Sequence, residues 1–136
     1  VKKVFKSKWQ FFWDTQTQNK LHLVQPHIEQ TQVPPHNDRF HGVIQARLRL
    51  GHTYLTHGFL LRGEDPPECV ACGCQMTVVH LLLECPEFQQ RRQLCFKYIY
   101  RRKIPLHLSL LIGDHAIVDF KYVIKFLSLI GVLSNI

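Results

Sequence analysis

No uncharged stretch of this 136-residue sequence reaches the roughly 20 residues needed to cross a bilayer; Phe126 to Ile136, at the C-terminus, has 11. A membrane partner is therefore not expected. Carboxylates are also scarce: ten Asp and Glu stand against 17 Lys and Arg, scattered singly apart from Glu64-Asp65. There is no paired-Asp polymerase motif and no spaced Asp/Glu set to hold two magnesium ions. Asp14, Asp38, Asp114 and Asp119 read as helix-end or surface residues. The expectation is a chain without a catalytic centre of its own. Its N-terminus alternates lysine with aromatics and forms no continuous apolar segment, so no secretory leader is expected. The first residue is Val1, not Met, and the chain reads as a fragment of something longer. Strand signals are weak, and there is no internal repeat.

What is present supports a core. Apolar residues make up 46% of the chain, with nine Phe, four Tyr and two Trp as large anchors. The net charge of +7 is concentrated. Residues 1–20 carry five Lys against one Asp, and residues 86–103 carry six Lys/Arg against one Glu, which accounts for the whole excess. Two such blocks point to a polyanionic partner such as nucleic acid or an acidic membrane surface, and RNA or DNA is the partner expected.

The periodicity predicts a mainly α fold. Phe5, Trp9, Phe12, Trp13 and Gln16 follow a helical stripe, so residues 3–20 read as an amphipathic helix with Trp9 and Trp13 as core anchors. The expected organisation is an N-terminal helix over 1–23, a Pro-rich linker over 24–38, a helical metal-binding core over 39–103 and a helical tail over 104–136. Within the core, a helix capped by Asn37 or Asp38 runs to Gly51, and a second helical segment from His52 to Leu61 closes at Gly63. Thr77 to Glu84 is a short helix with Thr77 as a candidate N-cap. Pro86 opens a helix expected to continue to about Tyr100, and a last helix covers about Val118 to Leu129.

Five cysteines are an odd number, and Cys69, Cys72 and Cys74 are too crowded for a disulfide framework. The pattern Cys69-x2-Cys72-x7-His80-x4-Cys85 instead has ligand spacing. Two thiolates converge from a tight knuckle or small hairpin over Cys69 to Cys74, and His80 and Cys85 close a tetrahedron from a helix and its end. Three thiolates with one imidazole suit Zn2+ in a reducing, intracellular setting, nuclear or cytoplasmic. The alternatives are buried thiols packed beside His80 and a redox CxxC, although the βαβ pattern of the latter is missing. Cys74 is a rival ligand to Cys72 or Cys69, while Cys95 reads as core. His52 and His57 lie close together without a carboxylate or Cys at ligand spacing, so they are not expected to form a second metal site.

The flanks of this cluster carry a family resemblance. Trp9-x3-Trp13-Asp14 and Asn19-Lys20-Leu21-His22 are similar to the stretch after the ribonuclease H domain in Jockey-like non-LTR retrotransposon polyproteins. The block Arg47-Leu48-Arg49-Leu50-Gly51-His52-Thr53, Leu55-Thr56-His57-Gly58 and Gly63-Glu64-x-Pro66-Pro67-x-Cys69 resembles that family's most recognisable signature, which Thr77-Val78-x-His80-x4-Cys85-Pro86 completes. Leu111-x-Gly113-Asp114 and Phe126-Leu127-x3-Gly131 resemble its tail. The resemblance implies a zinc-binding C-terminal tail of a reverse transcriptase/ribonuclease H polyprotein, one that helps handle RNA or DNA and lacks both enzymatic domains.

Two functions follow. In the first, a nucleic-acid-binding zinc module neutralises phosphates with Lys2, Lys3, Lys6, Lys8, Arg91, Arg92, Arg101, Arg102 and Lys103, and Tyr98 and Tyr100 are candidate stacking or core residues. In the second, a docking module packs on upstream reverse transcriptase or ribonuclease H domains or on another protein. On a helical wheel Lys97 and Arg101 lie opposite Phe88, whereas Arg91, Arg92 and Arg102 flank the apolar face; the basic residues ring the helix.

Overall fold

The computed structural model describes residues 2–28 and 38–136. Within them the chain is mainly helical, and an isolated antiparallel bridge between Glu68 and Gln75 is its one β feature. No described helix is long and apolar enough to cross a membrane.

Helix α1 spans Lys2–Asp14, shorter than the predicted 3–20. The Thr15 hydroxyl donates to Phe12 O at 2.7 Å, one of the local side-chain bonds that compete with helix propagation. The chain turns and makes a 3-10 turn over Lys20–Leu23, capped by Asn19. One edge of α1 ties it down: the Trp13 indole donates to Gln25 O at 2.8 Å, and the Gln10 amide bonds both Pro26 O and Ile28 N–H. Its aromatic face points away from the fold. Val4, Phe5, Trp9, Phe11 and Phe12 are between 59% and 74% exposed, so Trp9 is not the core anchor expected of it. Trp13 is half-buried, its ring 5.4 Å from that of His22.

Of the expected linker, residues 29–37 (with Pro34, Pro35 and the alternative cap Asn37) lie outside the described residues. Val24 is buried in the core. Helix α2, Arg39–Leu50, begins at Asp38, whose carboxylate accepts from His41 N–H, and ends at Gly51 with φ +69°. A side chain at Gly51 would be strained and would also meet Lys20, whose Cδ lies 2.7 Å from an added Cβ. Two short helices follow, α3 at Tyr54–His57 and α4 at Phe59–Arg62, and Gly63 closes the pair as predicted.

The helix predicted from Pro86 to about Tyr100 is three pieces: a 3-10 turn over Pro86–Phe88, α5 at Gln89–Cys95 and α6 at Lys97–Arg101. The break falls at Phe96, whose ring is buried 5.4 Å from Phe126. Helix α7, Leu108–Ile112, was not predicted; five residues are too few for a periodic signal. Helix α8, Phe120–Leu129, is capped by Asp119 and packs on α5.

One hydrophobic cluster joins these elements. Ile44 and Leu48 of α2, Leu81, Leu82, Phe96 and Ile99 meet Leu111, Ile112, Val123, Phe126 and Leu127, so segments 39–103 and 104–136 share a core. Arg49 fastens its edge. The buried guanidinium donates to Ile112 O at 2.8 Å, Gln25 Oε1 at 3.0 Å and Asp114 Oδ1 at 2.7 Å. Asp114 is therefore not the simple surface residue expected; it is nearly buried and balances an internal charge. Arg47 secures the C-terminus by donating to Ile136 O.

Candidate metal centre

The knuckle forms because residues 69–74 fold back on themselves. Cys69 N–H donates to Cys74 O at 2.8 Å, Gly73 N–H to Cys69 O at 2.7 Å, and Met76 N–H to Pro67 O at 2.8 Å. Gly73 takes φ +64°, a left-handed conformation that other residues adopt at a cost. The second half of the site rides on a turn that begins at Thr77, whose hydroxyl accepts from His80 N–H at 3.0 Å.

That turn is not α-helical. Residues His80–Glu84 wind as a π turn, and Cys85 N–H donates to His80 O at 2.9 Å. In an ideal α-helix, residues five apart point roughly 140° away from each other. The wider i to i+5 turn stacks Cys85 nearly above His80, bringing both donors to one side. Val78, Leu81 and Leu82 fill the core from this segment.

The result is a cluster. One ligand atom from each of Cys69, Cys72, His80 and Cys85 lies within 4.8 Å of the others. Cys85 Sγ is 3.7 Å from Cys69 Sγ and 3.8 Å from Cys72 Sγ, too far for disulfides. A tetrahedral ion with metal–sulfur bonds of about 2.3 Å separates its sulfurs by about 3.8 Å, so the spacing fits. Cys69, His80 and Cys85 are buried and Cys72 is exposed. These four residues can hold a metal ion.

Their electrostatics point the same way. A hydrogen bond with His80 is the chief influence holding the Cys69 thiol down, to about 6. Although the residue as a whole is exposed, the loss of water around its sulfur, then hydrogen bonds with Cys69 and Cys85, push the Cys72 thiol up to about 12. Without a cation, thiols this close do not all ionise; a divalent ion removes the conflict. His80 is flanked by Glu84, whose carboxylate is 3.6 Å from Nδ1, and by Cys74, whose sulfur is 3.4 Å from Nδ1. Cys74 thus sits beside the imidazole but outside the four-donor cluster.

Arg92, expected among the phosphate-neutralising residues, is instead 1% exposed, and its guanidinium donates to the Cys85 carbonyl and to Gln89 Oε1. Its Nε and Nη1 have no hydrogen-bond partner among the described residues. The signal was present: Phe88, Arg92 and Phe96 are four apart, which puts Arg92 on the inward face. A residue so placed bonds the backbone of a member of the donor cluster and is too buried to meet phosphates.

The other basic candidates are exposed. Lys3, Lys6 and Lys8 lie on α1, and Arg91, Arg101, Arg102 and Lys103 lie on and after α5 and α6; the side chain of Lys2 is outside what is described. Tyr98 is exposed and Tyr100 half-buried against the core. His52 and His57 stack with centroids 3.9 Å apart, and Lys20 Nζ lies 3.1 Å from His57 Nε2. Burial first, then the charges of Lys20 and His52, lower the affinity of His57 for protons. No carboxylate or thiol joins this pair in a metal-binding group among the described residues.

Compared with known protein families, with curated proteins and with solved structures, the chain matches none of them.

Proposed function

We propose that this chain is a zinc-binding, nucleic-acid-binding module of a retrotransposon-derived reverse transcriptase/ribonuclease H polyprotein, non-catalytic by itself. The observation that carries the reading is the convergence of Cys69, Cys72, His80 and Cys85. Three thiolates and one imidazole favour zinc over harder divalent ions, and four protein ligands leave no open position for an activated water. Nucleic acid is favoured by the exposed cations Lys3, Lys6, Lys8, Arg91, Arg101, Arg102 and Lys103 in a chain of net charge +7. The kinship rests on the motifs around Arg47–Gly51 and Gly63–Cys69.

Metal content of the purified chain, with an RNA and DNA titration at two salt concentrations, tests this. About one zinc per chain is expected, with weakly sequence-selective binding that falls steeply as salt rises. The chain should neither cleave RNA in a hybrid nor extend a primer, because Asp38 and Asp119 cap helices, Asp14 accepts from Gln10 and Asp114 pairs with Arg49. Turnover with magnesium that disappears on replacing one of the chain's carboxylates would reveal an active site.

The exposed aromatic face of α1 favours a second reading, docking on upstream reverse transcriptase or ribonuclease H domains. Absence of RNA and DNA binding at low salt, with capture of those domains lost on replacing Phe5, Trp9 and Phe12, would establish it instead.

A further inference from the structure

Helices α5 and α6 face α8 across a cleft of about 670 Å³ that the sequence does not announce. Cys95 and Phe96, both buried, are part of its lining. Lys97, Arg101, Arg102 and Lys125 line it too, together with Tyr98 and Tyr122. No carboxylate of the described residues lies within ion-pair distance of these four cations. Asp119, the one acidic residue in the lining, is occupied: it caps α8 through Lys121 N–H and pairs with Lys121 Nζ at 3.2 Å. Both rings are open to solvent, Tyr98 at 51% and Tyr122 at 42% exposed. Each already stacks against a cation, Arg102 over Tyr98 and Lys121 over Tyr122, both 5.2 Å from the centroid. Lys97 on α6 and Lys125 on α8 bring charge to the cleft from its two walls.

We infer that this cleft is a subsite for single-stranded nucleic acid, with Tyr98 and Tyr122 as stacking platforms and Lys97, Arg101, Arg102 and Lys125 as phosphate contacts. The inference rests on the nucleic-acid reading above and narrows it to one site and one strandedness. Cations alone would suit any polyanion. Exposed rings among them select a ligand with free π-faces, which unpaired bases offer and a duplex hides. Lys125 and Tyr122 come from a helix some 20 residues beyond the basic block, so only folding completes the site.

The test is anisotropy titration of the zinc-loaded full chain with single-stranded RNA, single-stranded DNA and a duplex of about ten nucleotides. A polyglutamate peptide serves as a further arm. Tyr98→Ala and Tyr122→Ala should each weaken single-strand binding roughly tenfold, while Tyr98→Phe keeps it, and zinc content stays unchanged in all three. Joint replacement Lys97→Gln and Lys125→Gln should reduce the salt slope by about 1.4. The RNA and DNA arms decide whether the 2′-hydroxyl contributes. Single-strand binding that survives both Tyr→Ala changes overturns the cleft but leaves the broader reading standing. Equal affinity for the duplex, tyrosine-dependent binding of polyglutamate, or loss in Tyr98→Phe as deep as in Tyr98→Ala also overturns it. No binding of any nucleic acid at low salt removes both.

Discussion

Helix α8 carries Val123, Phe126 and Leu127 on one face and buries all three, whereas α1 carries Phe5, Trp9 and Phe12 on one face and leaves all three in solvent. By pattern the two helices are alike. The difference lies in what surrounds them. The α8 face meets α5, with Phe126 stacked obliquely on Phe96 and edge-on to Phe88. Helix α1 is held by hydrogen bonds of Gln10 and Trp13 with residues 25–28, along one edge of its aromatic stripe. An apolar stripe thus states that a helix has a face to cover, not that the same chain covers it.

The strongest way to separate the two regions is through the knuckle. If the site holds zinc as proposed, Cys85→Ala or His80→Ala should release it and loosen residues 63–100, since structural zinc contributes on the order of 10 kcal/mol at neutral pH. Cys74→Ala should retain it. Metal content and amide exchange read both effects, with protection in α1 hardly changed; full metal retention in the Cys85 and His80 variants would remove the assignment.

The two aromatic faces come next. Phe126→Ala should destabilise the fold by about 3–5 kcal/mol in urea titration. Trp9→Ala should stay within about 0.5 kcal/mol. A Trp9 loss as large as that of Phe126 would show that the α1 face is covered in solution.

Proton linkage gives a smaller, graded effect confined to the knuckle. With Cys69 ionising at about 6 and Cys72 at about 12 in the metal-free site, binding at pH 7 must expel at least the Cys72 proton. Affinity should therefore rise with pH, roughly tenfold per unit for each proton released, and more steeply below about 6, where Cys69 also gives up a proton. Calorimetry in buffers of different ionisation heat counts those protons, and zero release at pH 7 would contradict the arrangement.

The smallest contrast is between hydroxyls. Thr77→Ala removes the cap of the ligand-bearing turn and should cost about 1 kcal/mol of stability. Ser7→Ala, which removes only a bond to Lys3 O on exposed α1, should cost less than about 0.5 kcal/mol. Thermal melts of the two variants, run side by side, resolve the difference.

Much of the local structure was legible. Asp38 and Gly51 bracket α2, Gly63 closes α4, and Thr77 caps its turn, because caps and left-handed glycines act through their immediate neighbours. The four donors that converge were readable as candidates from their spacing, because two thiols two residues apart meet in one tight turn. Illegible were the break at Phe96, helix α7 and the buried pair of Arg49 with Asp114. Each is decided by partners 30 to 65 residues away in sequence.

The sequence by itself determined the candidate donor set, the helix-rich character and the caps that bound α2 and close α4, all of which depend on short-range sterics and hydrogen bonds. Tertiary structure alone decided which apolar faces are covered and that the inward Arg92 meets the carbonyl of Cys85. It also decided that His80 and Cys85, five residues apart, share a side, through a π turn held by a core on one side and the knuckle on the other. Burial and charge pairing depend on what lies across a gap, and only the folded chain supplies the other wall.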